Sequence, residues 1–140
     1  MFTKPFKLVI VDDQEDIGII LEHFIHDSYP DQIHVETFIS SDKALEYITG
    51  NDVTIVISDL ELPGLHGLDL IQKINQMNRG IQTIVITGHQ SYSNALECFM
   101  SGVQGYITKP LTQNQLKSAI DQCIRRLAYW ERILNHVEAI

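Results

Sequence analysis

The chain has 140 residues, of which 44% are hydrophobic and 20% are charged, and its formal net charge is −8. These values are typical of one soluble globular domain, and the acidic balance argues against direct nucleic-acid binding by this segment. No apolar run reaches the length of a membrane span, and the first residues lack a signal-peptide core. Cys98 and Cys123 lack metal-like spacing and are expected to be small buried side chains. We therefore expect a cytoplasmic protein that does not contact membranes.

Strand-like and helix-like periodicities alternate along the chain. Short β-branched runs predict strands, and apolar residues at intervals of three and four predict amphipathic helices between them. In chain order the predicted elements are strand Lys7–Val11, helix 15–28, strand Ile33–Phe38, a helix capped by Ser40 or Ser41, strand Val53–Ser58, a helix marked by Leu68, strand Ile81–Thr87, a helix with Ala95, Leu96 and Phe99, strand Gln104–Thr108 and a long helix capped by Thr112. Repeated βα units predict an α/β domain whose parallel sheet has helices on both faces.

The stretch from Val53 to Gly67 is the centre of this pattern. A buried strand delivers Asp59 to its C-terminal end, and Pro63, Gly64 and Gly67 then predict a loop rather than an immediate helix. Open α/β sheets bind their ligands outside the carboxyl ends of the strands. Asp59 is therefore our candidate for the reactive group.

Four of the predicted strands end in polar side chains that a parallel sheet would bring to one edge. These are Asp12 and Asp13, Asp59, Thr87 and Lys109. Carboxylates gathered in one place repel one another unless a cation neutralises them, and oxygen ligands on loops suit Mg²⁺. Lys109 adds a mobile positive charge, and Thr87 adds a hydroxyl donor. The set predicts a site that would bind a phosphoryl group on Asp59 and stabilise its charge during transfer.

These residues and their neighbours resemble the receiver domain of bacterial two-component response regulators, the family that includes the chemotaxis regulators. The resemblance covers about residues 5–126. It rests on Asp12-Asp13, Asp59 with the Leu-Glu-Leu-Pro-Gly that follows it, Thr87-Gly88, Tyr106 and Lys109-Pro110. It implies a flavodoxin-like (βα)5 doubly wound sheet with strand order 2-1-3-4-5.

The resemblance also implies a signalling role rather than metabolic catalysis. Asp59 would accept a phosphoryl group from a sensor histidine kinase or a phosphotransfer protein, and Thr87 and Lys109 would contact phosphoryl oxygens. Thr87 and Tyr106 would report phosphorylation to the face made by helix 4, strand 5 and helix 5. The peptide bond between Lys109 and Pro110 would be cis. The domain would catalyse only its own phosphorylation and slow dephosphorylation.

A magnesium site is implied by the same resemblance. Asp13 and Asp59 would bind Mg²⁺ together with the backbone carbonyl of Glu61, and Asp12 would act largely through bound water. The acidic side chain of Glu61 stands at a position where the family varies. His89 is interpreted as an exposed loop histidine, although assistance to an attacking water is an alternative.

Three other functions remain open from the residues themselves. A Mg²⁺-dependent phosphohydrolase would use Asp59 as nucleophile and Glu61 as general acid, but the chain encodes no substrate cap. An FMN-binding flavodoxin needs a phosphate loop after the first strand, where the acidic residues 12–16 would repel a phosphate. The third alternative is a receiver-like scaffold that no longer takes phosphate.

The last helix is predicted to run past the domain, as an extension over residues 127–140. Its apolar residues follow an unbroken 4-3 spacing, typical of a coiled-coil seam. These are Leu116, Ile120, Cys123, Leu127, Trp130, Leu134 and Val137. After about Ala128 no intradomain surface is expected to cover the apolar side chains. We therefore predict a parallel homodimer through this extension, or alternatively a frayed part of a linker to an output domain.

Overall fold

Five strands and five helices alternate through the residues that the computed structural model describes, 2–89 and 91–139. The strands are β1 (Phe6–Val11), β2 (Ile33–Phe38), β3 (Val53–Asp59), β4 (Gln82–Thr87) and β5 (Gly105–Thr108). The helices are α1 (Glu15–Ser28), α2 (Ser41–Gly50), α3 (Gly67–Gln76), α4 (Tyr92–Met100) and α5 (Gln113–Ala139). Every predicted element is present, and the strand ends shift by no more than one residue.

The strands form one parallel sheet in the order β2-β1-β3-β4-β5. This order confirms the predicted flavodoxin-like α/β fold. β3 pairs with β1 on one side and with β4 on the other, with Val11 opposite Ser58 and Asp59 opposite Ile86. Because the strands are parallel, the carboxyl ends of β1, β3, β4 and β5 lie at the same edge of the sheet.

β3 is buried on both faces, which explains why its sequence is apolar almost throughout. Ile55 and Ile57 belong to the apolar cluster that includes side chains of α1 and α5. Val56 belongs to the cluster on the other face, with side chains of α2 and α3. Alternate residues of a strand point to opposite faces, so a central strand of this fold has no solvent-facing side. Its packing holds Asp59 at the end of a rigid element.

Side-chain caps begin α2 and α5. Ser40 is the cap of α2, since its hydroxyl accepts a hydrogen bond from the backbone N–H of Lys43, and Ser41 is the first helical residue. The hydroxyl of Thr112 accepts from the backbone N–H of Gln115 at 3.2 Å. The Gln115 side chain in turn accepts from the backbone N–H of Thr112 at 3.0 Å. This reciprocal pair is a capping box, which starts α5 at the predicted place.

Tyr29 joins the end of α1 to α5. Its hydroxyl donates to the carboxylate of Asp121 and lies 3.0 Å from the backbone carbonyl oxygen of Lys117. Burial raises the pKa of Tyr29, and the carboxylate beside it adds to the effect. Burial of Asp121 alone would raise its pKa, but hydrogen bonds from Tyr29 and Lys117 outweigh this, so its pKa lies below the ordinary 3.8. The ionised carboxylate therefore stabilises the contact between these helices.

A Tyr29→Phe variant is expected to be less stable than the wild type near neutral pH, by about 1.5 kcal/mol, the low end for hydrogen bonds to charged groups. The folded pKa of Asp121 is below its unfolded value, so this stabilisation is present above pH 3.8 and is lost as the pH falls through the folded pKa. Urea unfolding should therefore show a difference in free energy that shrinks on acidification. A difference that stayed constant from neutral to acid pH would contradict this role of the ionised carboxylate.

α4 presents most of its large apolar side chains to solvent. Cys98 is buried, whereas Leu96 and Phe99, which marked the helix in the sequence, are exposed, the latter by 77%. Tyr92 and Met100 are exposed as well. The spacing correctly predicted a helix here, but not which of its sides packs against the sheet.

α5 continues beyond the sheet as one unbroken helix. The first half of its predicted 4-3 line packs inside the domain, where Leu116, Ile120, Cys123 and Leu127 are buried. Trp130 and Leu134, further along, are 46% and 40% exposed. The expectation that no intradomain surface covers them is wrong in part. Both residues line a groove of about 310 Å³ with Phe2, whose backbone N–H donates to the Glu131 carboxylate at 3.2 Å. Phe2 therefore lies beside the extension at these two residues.

Among the described residues, no helix is both long enough and apolar enough to span a bilayer.

Candidate functional site

Asp59 is the last residue of β3 and lies at the edge of the sheet where the polar strand ends converge. Its side chain is almost completely buried. The backbone N–H of Glu61 donates to its Oδ1 atom at 3.0 Å, and the Nζ atom of Lys109 lies 2.8 Å from its Oδ2 atom. Both carboxylate oxygens therefore have donors, and these fix the orientation of the group.

Gly67 allows the first turn of α3 to lie against the backbone of Asp59. A Cβ atom at this position would lie 2.2 Å from the carbonyl oxygen of Asp59 and 2.7 Å from the Cα atom of Leu60. The Gly67 N–H donates to the Leu60 carbonyl at 3.0 Å, and His66 caps the helix through its Nδ1 atom, which accepts from the N–H of Leu68. Any side chain at residue 67 would displace the backbone of the candidate reactive residue.

Lys109 follows β5, and its side chain connects the acidic residues at the ends of β1 and β3. Its Nζ atom lies 2.8 Å from Asp59 Oδ2, 3.1 Å from Asp12 Oδ2 and 2.9 Å from Gln14 Oε1. Burial alone would lower the pKa of Lys109, but hydrogen bonds and charge attraction from Asp59 and Asp12 outweigh it, so its pKa lies above the ordinary 10.5. The Lys109–Pro110 peptide bond is cis. The lysine is thus a fixed cation beside Asp59.

Asp12 and Asp13 follow β1 and complete a cluster of three carboxylates. One oxygen from each of these residues and from Asp59 lies within 4.8 Å of the others. Burial raises the pKa of Asp12, against the opposing effects of the Gln14 backbone N–H, 2.9 Å from its Oδ1 atom, and of Lys109. Asp13 is exposed. A donor set made only of oxygens, with one exposed member, fits a hard divalent cation that keeps several waters.

The backbone of His89 connects Thr87 to Tyr106. Thr87 is fully buried at the end of β4, and its Oγ1 atom accepts from the N–H of His89 at 3.1 Å. The same hydroxyl lies 3.4 Å from the carbonyl oxygen of His89, to which the Tyr106 hydroxyl donates at 3.3 Å. Burial raises the pKa of Tyr106. A movement of the Thr87 hydroxyl would therefore disturb the same loop that holds Tyr106.

Glu61 and His89 also meet through their side chains, across two loops. His89 Nε2 lies 2.9 Å from Glu61 Oε1, and both side chains are more than half exposed. Such a pair contributes at most about 1 kcal/mol. The Glu61 backbone contributes to the site separately, because its N–H donates a hydrogen bond to Asp59.

The structure thus brings together the predicted Asp12, Asp13, Asp59 and Lys109, and it places Thr87 and Tyr106 on the neighbouring strands. Sequence reasoning missed Gln14, whose side chain accepts from Lys109. It also missed the role of the His89 backbone. The polar side chain directly after the Asp pair could have indicated Gln14. The contacts of the His89 backbone could not be predicted from side-chain patterns, because every residue carries the same backbone groups.

The family model of the response regulator receiver domain matches residues 8–121. The chain belongs to this family. Chemotaxis protein CheY-3 of Vibrio cholerae is 27% identical over 130 residues, which cover 91% of this chain and 98% of that protein. A crystal structure of a response regulator receiver domain protein from Clostridium thermocellum has a TM-score of 0.81 at 28% identity, and covers 89% of this chain and 98% of that one.

Longer regulators are similar to this receiver domain over part of their length. Transcriptional regulatory protein GlrR of Escherichia coli is 30% identical over 129 residues, which cover 91% of this chain but 28% of that protein. The matched part of this chain therefore spans only about a quarter of the length of several curated relatives. Because receiver domains are signalling modules, the family favours the signalling hypothesis over the flavodoxin and phosphohydrolase alternatives.

Proposed function

We propose that this receiver domain is a phosphorylation-dependent switch in which Asp59 accepts a phosphoryl group from a sensor histidine kinase or a phosphotransfer protein. The observation that carries the proposal is the position of Lys109, whose ammonium group contacts both Asp59 and Asp12 where three carboxylates converge. A fixed cation at this point stabilises negative charge that develops on Asp59 during transfer. Burial strengthens the effect, since little water competes for the charged groups.

In the proposed transfer, a carboxylate oxygen of Asp59 forms a bond to phosphorus, and the bond between phosphorus and the donor imidazole nitrogen breaks. The electron pair of that bond stays on the donor nitrogen. The N–H of Glu61 keeps the carboxylate oriented, and Lys109 compensates the charge of the acyl phosphate. The Thr87 hydroxyl, which now faces the His89 backbone, turns to a phosphoryl oxygen.

The carboxylate cluster is proposed to hold Mg²⁺ through Asp13, Asp59 and the backbone carbonyl of Glu61, with Asp12 contributing through water. The donor set of the cluster, all oxygen and partly exposed, supports this assignment. When bound, the ion supplies neutralising charge for the transferred group. Lys109, which contacts both Asp59 and Asp12, supplies part of the same neutralising charge.

The proposed output is a change on the face formed by α4, β5 and α5. When the Thr87 hydroxyl leaves the backbone of His89, the loop that also binds the Tyr106 hydroxyl is released from one of its contacts. Tyr106 lies on β5 and faces a cavity with Ser91, Tyr92 and Ala95 of the α4 region. Reorientation of Tyr106 would therefore alter the shape of this face for a partner or an output domain.

The proposal assigns residues 5–126 to the receiver domain and 127–140 to a helical extension; the family match over residues 8–121 lies within the first of these ranges. The proposal also includes a cytoplasmic location, where a kinase would supply the phosphoryl group. The net charge of −8 supports signalling through protein contacts, without direct nucleic-acid binding by this segment.

Beryllofluoride, a mimic of an aspartyl phosphoryl group, tests the proposal on the wild-type chain. With Mg²⁺ present, we expect NMR shifts at Asp59 and Lys109 that extend through His89 to Tyr106. A chelator should abolish them, and a generic phosphate ester should not be turned over. Absence of any shift would contradict the acceptor role, and shifts confined to the carboxylates would contradict the switch.

A further inference from the structure

The ammonium group of Lys109 has three N–H donors, and each of them has an acceptor in this structure. Two of the acceptors are carboxylate oxygens, Asp59 Oδ2 at 2.8 Å and Asp12 Oδ2 at 3.1 Å. The third is the amide oxygen of Gln14 at 2.9 Å. An ammonium group has no further donor to offer. A phosphoryl oxygen that binds Lys109 must therefore take the place of one of these three acceptors.

The three acceptors of Lys109 differ in charge and in exposure. The side chains of Asp12 and Asp59 are 2% and 7% exposed, so they hold the ammonium group from its buried side. Gln14 is exposed, and its neutral amide lacks the charge attraction that both carboxylates exert on the lysine. Water can replace an exposed neutral acceptor, and a phosphoryl group also arrives from solvent. Gln14 is therefore the acceptor that is exchanged at the lowest cost.

The Gln14 side chain has no part in starting α1, although Gln14 is the cap residue of that helix. Cap side chains commonly accept from a backbone N–H of the first turn, but this one makes no such bond. The backbone does this work instead, since the Gln14 carbonyl accepts from the N–H of Ile17 at 3.0 Å and the Gln14 N–H donates to Asp12 at 2.9 Å. Among the described residues, the hydrogen bond of the Gln14 side chain is the one to Lys109. Substitutions at residue 14 should therefore leave α1 intact.

We propose that Gln14 is a positioning residue that occupies the outward N–H of Lys109 in the resting state and yields it to a phosphoryl oxygen when Asp59 is phosphorylated. The inference rests on the proposed function, because it concerns the same lysine. One hydrogen bond replaces another in this step, and the released amide oxygen of Gln14 turns to water. The resting contact thus competes with the phosphorylated state. Gln14 lowers the affinity of the site for a phosphoryl group by the net value of one hydrogen bond.

Loss of the Gln14 contact should strengthen the binding of a phosphoryl mimic. Gln14→Met has similar length but only a weak sulfur acceptor, and Gln14→Asn keeps the amide but is one methylene too short to make the same contact. Water then occupies the outward N–H of Lys109 and is displaced more easily. Affinity for beryllofluoride with Mg²⁺ should rise about two- to tenfold in both variants. Because the two differ in polarity, a shared effect reports the lost contact.

NMR of the lysine ammonium groups in the complete ¹⁵N-labelled chain tests the resting contact without any phosphoryl mimic. The Lys109 signal, identified by its absence from Lys109→Ala, should exchange slowly with water in the wild type, where all three N–H groups are bound. Exchange should be faster in Gln14→Met and Gln14→Asn. Gln14→Glu keeps an acceptor of the same reach and should restore slow exchange. Equal exchange rates in the wild type, Gln14→Met and Gln14→Asn would overturn the resting contact.

Titration with beryllofluoride in the presence of Mg²⁺ tests the exchange itself. Gln76→Met is the matched control, because Gln76 is exposed at the end of α3 opposite to Gly67, and its affinity should equal that of the wild type. Unchanged affinity in both Gln14→Met and Gln14→Asn would overturn the exchange. Weaker binding in both would overturn it as well and would mean that Gln14 itself supports the phosphoryl group. A wild type that bound no beryllofluoride would contradict the proposed function and the exchange together, whereas the ammonium exchange rates would still decide the resting contact.

Discussion

An Asp59→Asn variant is expected to take up no phosphoryl group from acetyl phosphate in the presence of Mg²⁺. The wild type should gain the mass of one phosphoryl group under the same conditions. The substitution removes the nucleophilic carboxylate but keeps its size, and the new amide oxygen can still accept from the N–H of Glu61. The fold should therefore persist, and intact-mass spectrometry measures the loss of chemistry alone.

Asp12→Asn is the matched control for this experiment. Asp12 is also buried and also contacts Lys109, so the same chemical change is made beside the acceptor. This variant should still be labelled, but more slowly, because the carboxylate cluster loses one charge. Label that persisted on Asp59→Asn, or labelling of the wild type that a chelator failed to diminish, would contradict the assignment.

Removal of the Lys109 ammonium group is expected to uncouple the switch while the fold remains. Lys109→Ala deletes charge-assisted contacts to Asp59 and Asp12 at 2.8 and 3.1 Å. The phosphorylated state should lose about 1.5–3 kcal/mol of stabilisation. Affinity for beryllofluoride, measured by titration with Mg²⁺ present, should therefore fall roughly tenfold to a hundredfold.

Lys117→Ala is the control for Lys109→Ala. Lys117 lies on α5 and pairs with Asp121 of the same helix at 2.9 Å. Its side chain is about half exposed and has no contact with the carboxylate cluster among the ion pairs described. Its removal should leave beryllofluoride affinity unchanged. If the Lys109→Ala complex still showed the wild-type NMR shifts around Tyr106, Lys109 would have no part in transmitting the signal.

Much of the fold could be predicted from local patterns. β-Branched runs placed the strands to within a residue, because the burial of a central strand such as Val53–Asp59 on both faces demands an apolar sequence. The convergence of Asp12, Asp13, Asp59 and Lys109 also followed from the sequence, since parallel strands must present their carboxyl ends at one edge.

What the sequence could not decide depends on which surfaces meet. Helical spacing identified α5, and apolar residues such as Leu116 marked the side that packs on the sheet, but only the structure shows that Phe2 lines a groove with Trp130 and Leu134 of the extension. Likewise, Gly67 appeared as a loop former, whereas its close approach to the Asp59 backbone depends on how α3 returns to the sheet. The His89 link between Thr87 and Tyr106 runs through backbone atoms, which every residue has. Periodicity determined the elements and the edge where the site lies, and tertiary packing alone decided which faces and backbone groups meet there.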